Sequence, residues 1–332
     1  MKFESYRNEI DVALPLLREA VSIARQVREE MKGNSIQKQD DSPVTVADFA
    51  IQAWICRGLR NAFPSDAVVA EESSAALLAP GGRSTLERIK KFFDEREAGI
   101  SAEKICEWID FGTAAPSRRF WVLDPVDGTK GFLRGGQYVV ALGLIENGRV
   151  QIGFLGCPRL NVEGRESENG EGALVLAVRG KGAWIGPLDG KLPFRQLKVS
   201  SRAVMSEAVI LRSVEAGHTN VGVMEQLFAV AGRPASELHL DSQAKYVLAA
   251  AGHADLFCYL LKKDKPDSRM KIWDVAPGAI IIEEAGGKIT DLNGAPIDYT
   301  AGKSLLRNPG ILVSNGRLHT PFLSAYGTLT VK

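Results

Sequence analysis

Phe120-Trp121-Val122-Leu123-Asp124-Pro125-Val126-Asp127-Gly128-Thr129-Lys130 decides how this chain is read. The four apolar residues predict a buried strand. Pro125 removes a backbone donor and is expected to end that strand, Gly128 permits a turn, and two carboxylates then project from one tight corner. Paired oxygens suit a hard divalent cation. Mg²⁺ takes oxygen ligands at about 2.0 to 2.1 Å and is usually held by one or two carboxylates together with waters and substrate phosphate. The plainer alternative is an acidic turn whose Asp residues satisfy loose backbone donors. Glu71 weighs against it: Ala67-Val68-Val69-Ala70 predicts a second buried strand ending in Glu71-Glu72-Ser73, and strand ends can converge on one site in a sheet-based fold.

Neighbouring chemistries do not fit these residues. An EF-hand loop alternates its acids and closes on a Glu, a register that Asp124 to Asp127 does not follow. A phosphoaspartate phosphatase places its nucleophile and acid two apart, whereas these lie three apart. No G-x-x-x-x-G-K-[ST], G-x-S-x-G or H-E-x-x-H occurs, so P-loop, serine-hydrolase and zincin chemistry have no support.

Outward from the corner, Ile10, Ala13, Leu14, Leu17, Val21, Ala24, Val27 and Met31 recur at spacings of three and four, predicting one long helix that runs to Gly33. The polar stretch from Gly33 to Pro43 reads as a surface loop. Thr45 followed three residues later by Asp48 has the form of a helix cap, leading into Phe49, Ile51, Ile55 and Leu59. Between Ser73 and Phe120 the pattern is mostly helical. Beyond Gly131 it turns to short strands, Tyr138 to Ile145, Val150 to Leu155, Leu174 to Arg179 and Ala183 to Ile185, with Asn147-Gly148 as a hairpin turn in an antiparallel sheet. After Leu197 strands and helices alternate: Ala208 to Arg212, Gly222 to Ala231, Ser242 to Ala251, Asp255 to Leu261, and Val275 to Ala285 closed by Gly286-Gly287. The expected division is an α+β part, 1–197, and an α/β part, 198–332.

Composition bounds the rest. At 332 residues, the chain is about twice the roughly 150 residues common for one domain. Its 45% apolar and 24% charged residues are those of a globular protein. Forty-one basic against 40 acidic residues give a net charge of +1, so no global field recruits a nucleic acid polymer or an acidic membrane. Cys56, Cys106, Cys157 and Cys258 form no C-x-x-C, and reduced thiols in the cytoplasm are the simplest reading. The N-terminus has no signal-like apolar core. The longest apolar stretch, Tyr246 to Leu261, is broken by Gly252, His253 and Asp255 and is too short to span a bilayer.

Taken in order, Glu71-Glu72-Ser73, Asp124-Pro-Val-Asp-Gly-Thr129, Trp273-Asp274-Val-Ala-Pro-Gly278 and Glu284-Ala-Gly-Gly287 resemble the lithium-sensitive, Mg²⁺-dependent inositol monophosphatase superfamily. Within it the resemblance is nearest to the 3'(2'),5'-bisphosphate nucleotidases, supported by Ser42-Pro-Val-Thr45 with Asp48, Asp127 to Gly135, Gly156-Cys-Pro158, Val214-Glu-Ala-Gly-His218 and Leu240-Asp-Ser-Gln-Ala-Lys-Tyr246. It implies a layered αβαβα sandwich of α/β class. It also implies a site in which Glu71, Asp124, Asp127, Asp274 and the Val126 carbonyl bind two or three Mg²⁺ ions. In that scheme Glu71, Asp48 and Thr129 are catalytic: Thr129 positions and deprotonates the attacking water, and Asp48 accepts the threonine proton. Thr129, His218, Ser242, Lys245 and Asp274 would contact substrate.

The implied reaction is hydrolysis of adenosine 3',5'-bisphosphate to AMP and phosphate, with the sulfated nucleotide as a candidate second substrate. The alternatives are a phosphatase of inositol phosphates or another small phosphomonoester, and an inactive relative that senses an anion. Local readings also stand beside the functional ones. Asp48 can cap its helix, Ser242 can cap the helix after it, Lys245 can be a solvated face, and His218 can be a surface histidine. One departure bears on substrate: where related nucleotidases tend to carry Arg, this chain presents Tyr259, with Lys262, Lys263 and Arg269 nearby as replacements. Whether the protein is a monomer or a homodimer is open at this point.

Overall fold

The computed structural model describes residues 4–33, 46–167, 170–214, 221–261 and 269–330. The loop expected after Gly33, with Thr45, His218, Lys262 and Lys263, lies outside them.

The chain opens with α1 (Arg7–Gly33) and α2 (Val46–Ala62). Ala13, Leu17, Ala20, Val21 and Ala24 form the buried face of α1, as the spacing predicts. Pro15 removes one internal donor of this helix, a local cost that the apolar face on either side outweighs. Then come β1 (Ala67–Ala70), α3 (Ala75–Leu78), α4 (Arg83–Asp94) and α5 (Ala102–Phe111). Ser101 caps α5 by accepting from Lys104 N at 3.3 Å.

The first sheet is completed by β2 (Arg119–Asp127), β3 (Val139–Glu146), β4 (Arg149–Cys157), β5 (Ala173–Val178), β6 (Gly182–Pro187) and β7 (Arg195–Gln196), with the short helix α6 (Thr129–Arg134) after β2. Its seven strands lie in sequence order. The β1–β2 pair is parallel, and the other neighbouring pairs are antiparallel. At the β3–β4 turn Asn147 and Gly148 have φ of 50° and 73°, the two left-handed residues that an Asn-Gly turn supplies.

One expectation fails here. Pro125 does not end β2: the strand runs on to Asp127, and its pairing with β3 shifts between Asp124 and Asp127. The irregularity accommodates the missing donor, and a bulge re-aims the side chains around it.

The second sheet is assembled from β8 (Val209–Arg212), β9 (Ser236–His239), β10 (Leu256–Leu260), β11 (Lys288–Thr290) and β12 (Gly310–Ser314), in the order β11-β12-β10-β8-β9. Its helices are α7 (Val221–Ala231), α8 (Ala244–Ala250), α9 (Ala276–Glu284) and α10 (His319–Thr330).

Alternation along β2 separates the cores. Trp121 and Leu123 face one core with residues of α1, α2, α4 and α5, while Phe120 and Val122 face another with residues of α8 and α9. A third core packs α7 and α10 against the far side of the second sheet. The layers are therefore helix, sheet, helix, sheet, helix, which is the expected αβαβα sandwich. Each large aliphatic or aromatic side chain buried in these layers contributes about 1.5 to 3 kcal/mol. Among the described residues no helix is long and apolar enough to cross a membrane, and the four cysteines are free.

Candidate active site

Two parallel strands bring the first carboxylates together. Ala70 of β1 pairs with Leu123 of β2, so the next residues, Glu71 and Asp124, stand side by side. Three residues on, Asp127 ends β2, and Gly128 turns the chain into α6 at φ 90°. A Cβ there would lie 2.9 Å from Ser242 Cβ and 3.1 Å from Gln137 O, so only glycine fits the approach of the two segments. Asp48 enters from the first turn of α2, where it is 2% exposed. Asp274 enters from the turn before α9, its Oδ2 accepting from Lys271 N at 2.8 Å.

These five carboxylates line one cleft of about 550 Å³, a size suited to a nucleotide-sized ligand. Burial is the leading cause of the raised proton affinity there, and mutual repulsion adds to it. The Asp124 carboxyl is held well above the usual range by burial, then by Glu71, Asp127 and Asp274. Asp274 is pushed up to about 8 by burial and Asp127, and Glu71 to about 7 by burial, Asp48 and Asp127. Asp127 rises only to about 6, because Gln243 N and the Lys245 cation oppose its burial. Glu71 lies on the open side of the cleft, where water screens its share of the repulsion. Glu72, assigned no role from sequence, also lines the cleft and is pushed up to about 8 by burial and by Asp48.

Among the described residues no three His, Cys, Asp or Glu side chains are gathered closely enough to hold an ion as they stand. One atom nonetheless fits a cation: Oδ1 of Asp124 is buried with no hydrogen-bond partner, and an orphaned carboxylate oxygen is costly unless an ion or water takes it up. The donor set of hard carboxylate oxygens with the Val126 carbonyl suits Mg²⁺. Val126 O already accepts from Thr129 Oγ1 at 3.1 Å, which leaves its second lone pair.

The expected substrate residues divide. Thr129, Ser242, Lys245 and Asp274 line the cleft; His218 is outside the described residues. Ser242 holds a left-handed φ of 64°, and its Oγ accepts from Ala244 N at 3.3 Å; it is not the cap of α8, whose N-cap is Gln243. Lys245 is not a solvated face. Burial lowers its proton affinity against the pull of Asp127 and Asp241, and its Nζ donates to Ser213 Oγ at 2.9 Å. Lys130 and Arg134 lie on α6, and Arg134 pairs with Asp241 at 2.6 Å.

Two residues escaped the sequence reading. Gln243 is buried and links the corner to α9: its N donates to Asp127 Oδ2 at 2.6 Å, its Nε2 to Trp273 O at 3.0 Å, and its Oε1 accepts from Gly278 N at 3.0 Å. Arg212, at the end of β8, lines the cleft beside Ser213 and pairs with Glu237 at 2.8 Å. Its signal was available, since it closes a predicted strand as Glu71 follows one.

The model of the inositol monophosphatase family matches residues 5–326. The chain is 36% identical to the 3'(2'),5'-bisphosphate nucleotidase of Emericella nidulans, over 97% of this chain and 98% of that one. It is 37% identical to 3'(2'),5'-bisphosphate nucleotidase 1 of Arabidopsis thaliana, over 97% and 96% respectively. Among solved structures, the IMPase of Thermotoga maritima superposes with a TM-score of 0.63 at 21% identity, over 97% of this chain and 98% of that one. The inositol monophosphatase of Anabaena gives 0.64 at 19%, over 98% and 97%.

Proposed function

The chain belongs to the inositol monophosphatase family, and from that premise we propose that it is a Mg²⁺-dependent 3'(2'),5'-bisphosphate nucleotidase. It would remove the 3'-phosphate of adenosine 3',5'-bisphosphate, giving AMP and phosphate, with the sulfated nucleotide as a second substrate. The observation that carries the reading is the mixed lining of the cleft. The carboxylates share it with Lys245, Ser213 and the apolar side chains of Met224, Phe257 and Ile311. A single sugar phosphate would leave most of those apolar side chains unused. The names of relatives at 36 and 37% identity point the same way.

In this reading residues 1–197 carry Glu71, Asp124, Val126 and Asp127, residues 198–332 bring Asp274 and the substrate contacts, and the cleft lies between them. Those five residues would hold two or three Mg²⁺ ions. Bound there, the ions neutralise phosphate charge and acidify water. Thr129 would take the attacking water's proton at Oγ1 while its own hydroxyl hydrogen, which rests on Val126 O at 3.1 Å, turns toward Asp48. Asp48, almost wholly shielded from solvent, takes that proton. No covalent enzyme intermediate is needed. Gly128, Gln243 and the bulge in β2 keep the carboxylates in place.

The test is phosphate release by purified protein with Mg²⁺ on adenosine 3',5'-bisphosphate, the sulfated nucleotide and inositol monophosphate. The bisphosphate is expected to be the best substrate of the three. A tenfold preference for inositol monophosphate would overturn the substrate assignment, and no release from any of them would favour an anion-binding relative without activity.

A further inference from the structure

Among the described residues five basic side chains line the cleft, and they differ in how they are held. Lys130 is exposed. Lys271 reaches Ser304 Oγ at 2.9 Å, Arg269 donates to Asn308 O at 3.2 Å, and Lys245 donates to Ser213 Oγ at 2.9 Å. The fifth, Arg212, is only 11% exposed at its side chain, and Glu237 of β9 holds it through Nη1 at 2.8 Å. That bond uses one of the five N–H groups of a guanidinium. A buried, braced and still largely unspent fork is the form that recognises a phosphate in two places at once.

Its position follows from the sheet. Strands β8 and β10 run parallel with Ile210 beside Leu256, so two residues on, Arg212 stands next to Cys258, one residue before Tyr259. The Cys258 thiol reports the same neighbourhood: burial pushes it up to about 12 against the pull of Arg212 and Lys245. Both cations therefore face one thiol from neighbouring elements, with Lys245 also within the field of Asp127. The path from the carboxylate corner through Lys245 to Arg212 runs along a single cleft, with Met224 and Phe257 as walls. The sequence placed Tyr259 where an Arg was expected; the guanidinium is supplied one strand over.

We infer that Arg212, braced by Glu237, binds the second phosphate of the substrate and sets the preference for a bisphosphate over a monophosphate. This rests on the nucleotidase reading above. Lys245 and Ser213 stand between that phosphate and the one that is cleaved. Tyr259 then borders the ligand without carrying its charge.

The experiment compares adenosine 3',5'-bisphosphate with adenosine 3'-monophosphate, which lacks the second phosphate, in the wild-type protein and in Arg212→Gln and Arg212→Lys. Arg212→Gln is expected to raise KM for the bisphosphate about 10- to 100-fold, the range of a lost charge-assisted contact, with kcat and the monophosphate kinetics little changed. Arg212→Lys should recover part of the loss. Unchanged monophosphate turnover is the control for folding, and Arg212→Lys carries the same comparison if Arg212→Gln does not fold. A wild-type preference for the bisphosphate that survives in Arg212→Gln would overturn the role of Arg212 and leave the nucleotidase reading standing. A wild-type protein with no preference for the bisphosphate would overturn both.

Discussion

The backbone N–H of Gln243 donates to Oδ2 of Asp127 at 2.6 Å, joining the end of β2 to the start of α8 across 116 positions of sequence. The same residue's side chain donates to Trp273 O and accepts from Gly278 N, both at 3.0 Å. Asp127 and the turn that carries Asp274 are thus held by one side chain and its own amide. Gln243→Leu leaves a buried N–H and a buried carbonyl without partners, at about 1 to 3 kcal/mol each. The expected result is a loss of about 2 to 4 kcal/mol in urea unfolding and a fall in kcat/KM of about tenfold or more. Full activity at unchanged stability would mean that Gln243 does not hold the site together.

Gly128→Ala tests the corner itself. The native φ of 90° disfavours any side chain, and the new methyl would meet Ser242 Cβ at 2.9 Å. The backbone penalty alone is about 1 to 3 kcal/mol. Because α6, Thr129 and Ser242 must shift to relieve the contact, phosphate release should fall more steeply than thermal stability. A variant with normal turnover would show that the corner tolerates movement.

Asp124→Asn separates stability from activity. Burial and four neighbouring acids raise the Asp124 carboxyl well above the usual carboxylate range, with Asp274 near 8 and Glu71 near 7. Groups whose folded value is raised add stability at low pH and lose it as pH rises through the folded value. Metal-free protein should therefore weaken between about pH 5 and 8, and Mg²⁺ should raise its Tm more at pH 8 than at pH 5.5. Replacing the crowded carboxyl by an amide should stabilise the metal-free protein at pH 8 by about 1 to 3 kcal/mol, since the neighbouring acids then ionise without another titratable carboxyl among them. Mg²⁺-dependent phosphate release should drop at least about a hundredfold. A destabilised variant with intact turnover would remove Asp124 from the site.

What sequence reveals and hides at this site follows the range of the forces involved. The strands before Glu71 and Asp124, the long α1 face and the Asn147-Gly148 turn rest on local periodicity and turn chemistry, and they were legible. The continuation of β2 past Pro125 was not, because pairing with β3 over a bulge decides it. Gln243 was hidden for a related reason, and so was the brace on Arg212: Trp273, Gly278 and Glu237 lie on other elements, and tertiary packing alone brings them together. Strand β9, Ser236–His239, is short and largely exposed, and no hydrophobic alternation marks it.

The last prediction concerns His319, which is fully buried between Thr290 and Ser314. Thr290 Oγ1 spends its hydrogen on Asp291 O at 2.7 Å, so it accepts from His319 Nε2 at 2.8 Å. Nε2 therefore carries the proton, and Nδ1 accepts from Ser314 Oγ at 2.9 Å. A second proton on Nδ1 would oppose that donor in a dry site near Lys288, and the imidazole is lowered from 6.5 to about 4 by burial first and Lys288 second. Between those two values the unfolded chain binds a proton that the folded chain refuses, so stability falls as pH falls through this window. The contribution is about 3 kcal/mol at most. The acidic cleft titrates with the opposite sign over part of the same range, so the measurement is a difference: urea unfolding of wild type and His319→Gln at pH 7, 5.5 and 4.5. The gap between them should narrow toward pH 4.5 as the wild type loses its advantage, and a gap independent of pH would show that His319 binds its proton equally well in the folded and the unfolded protein.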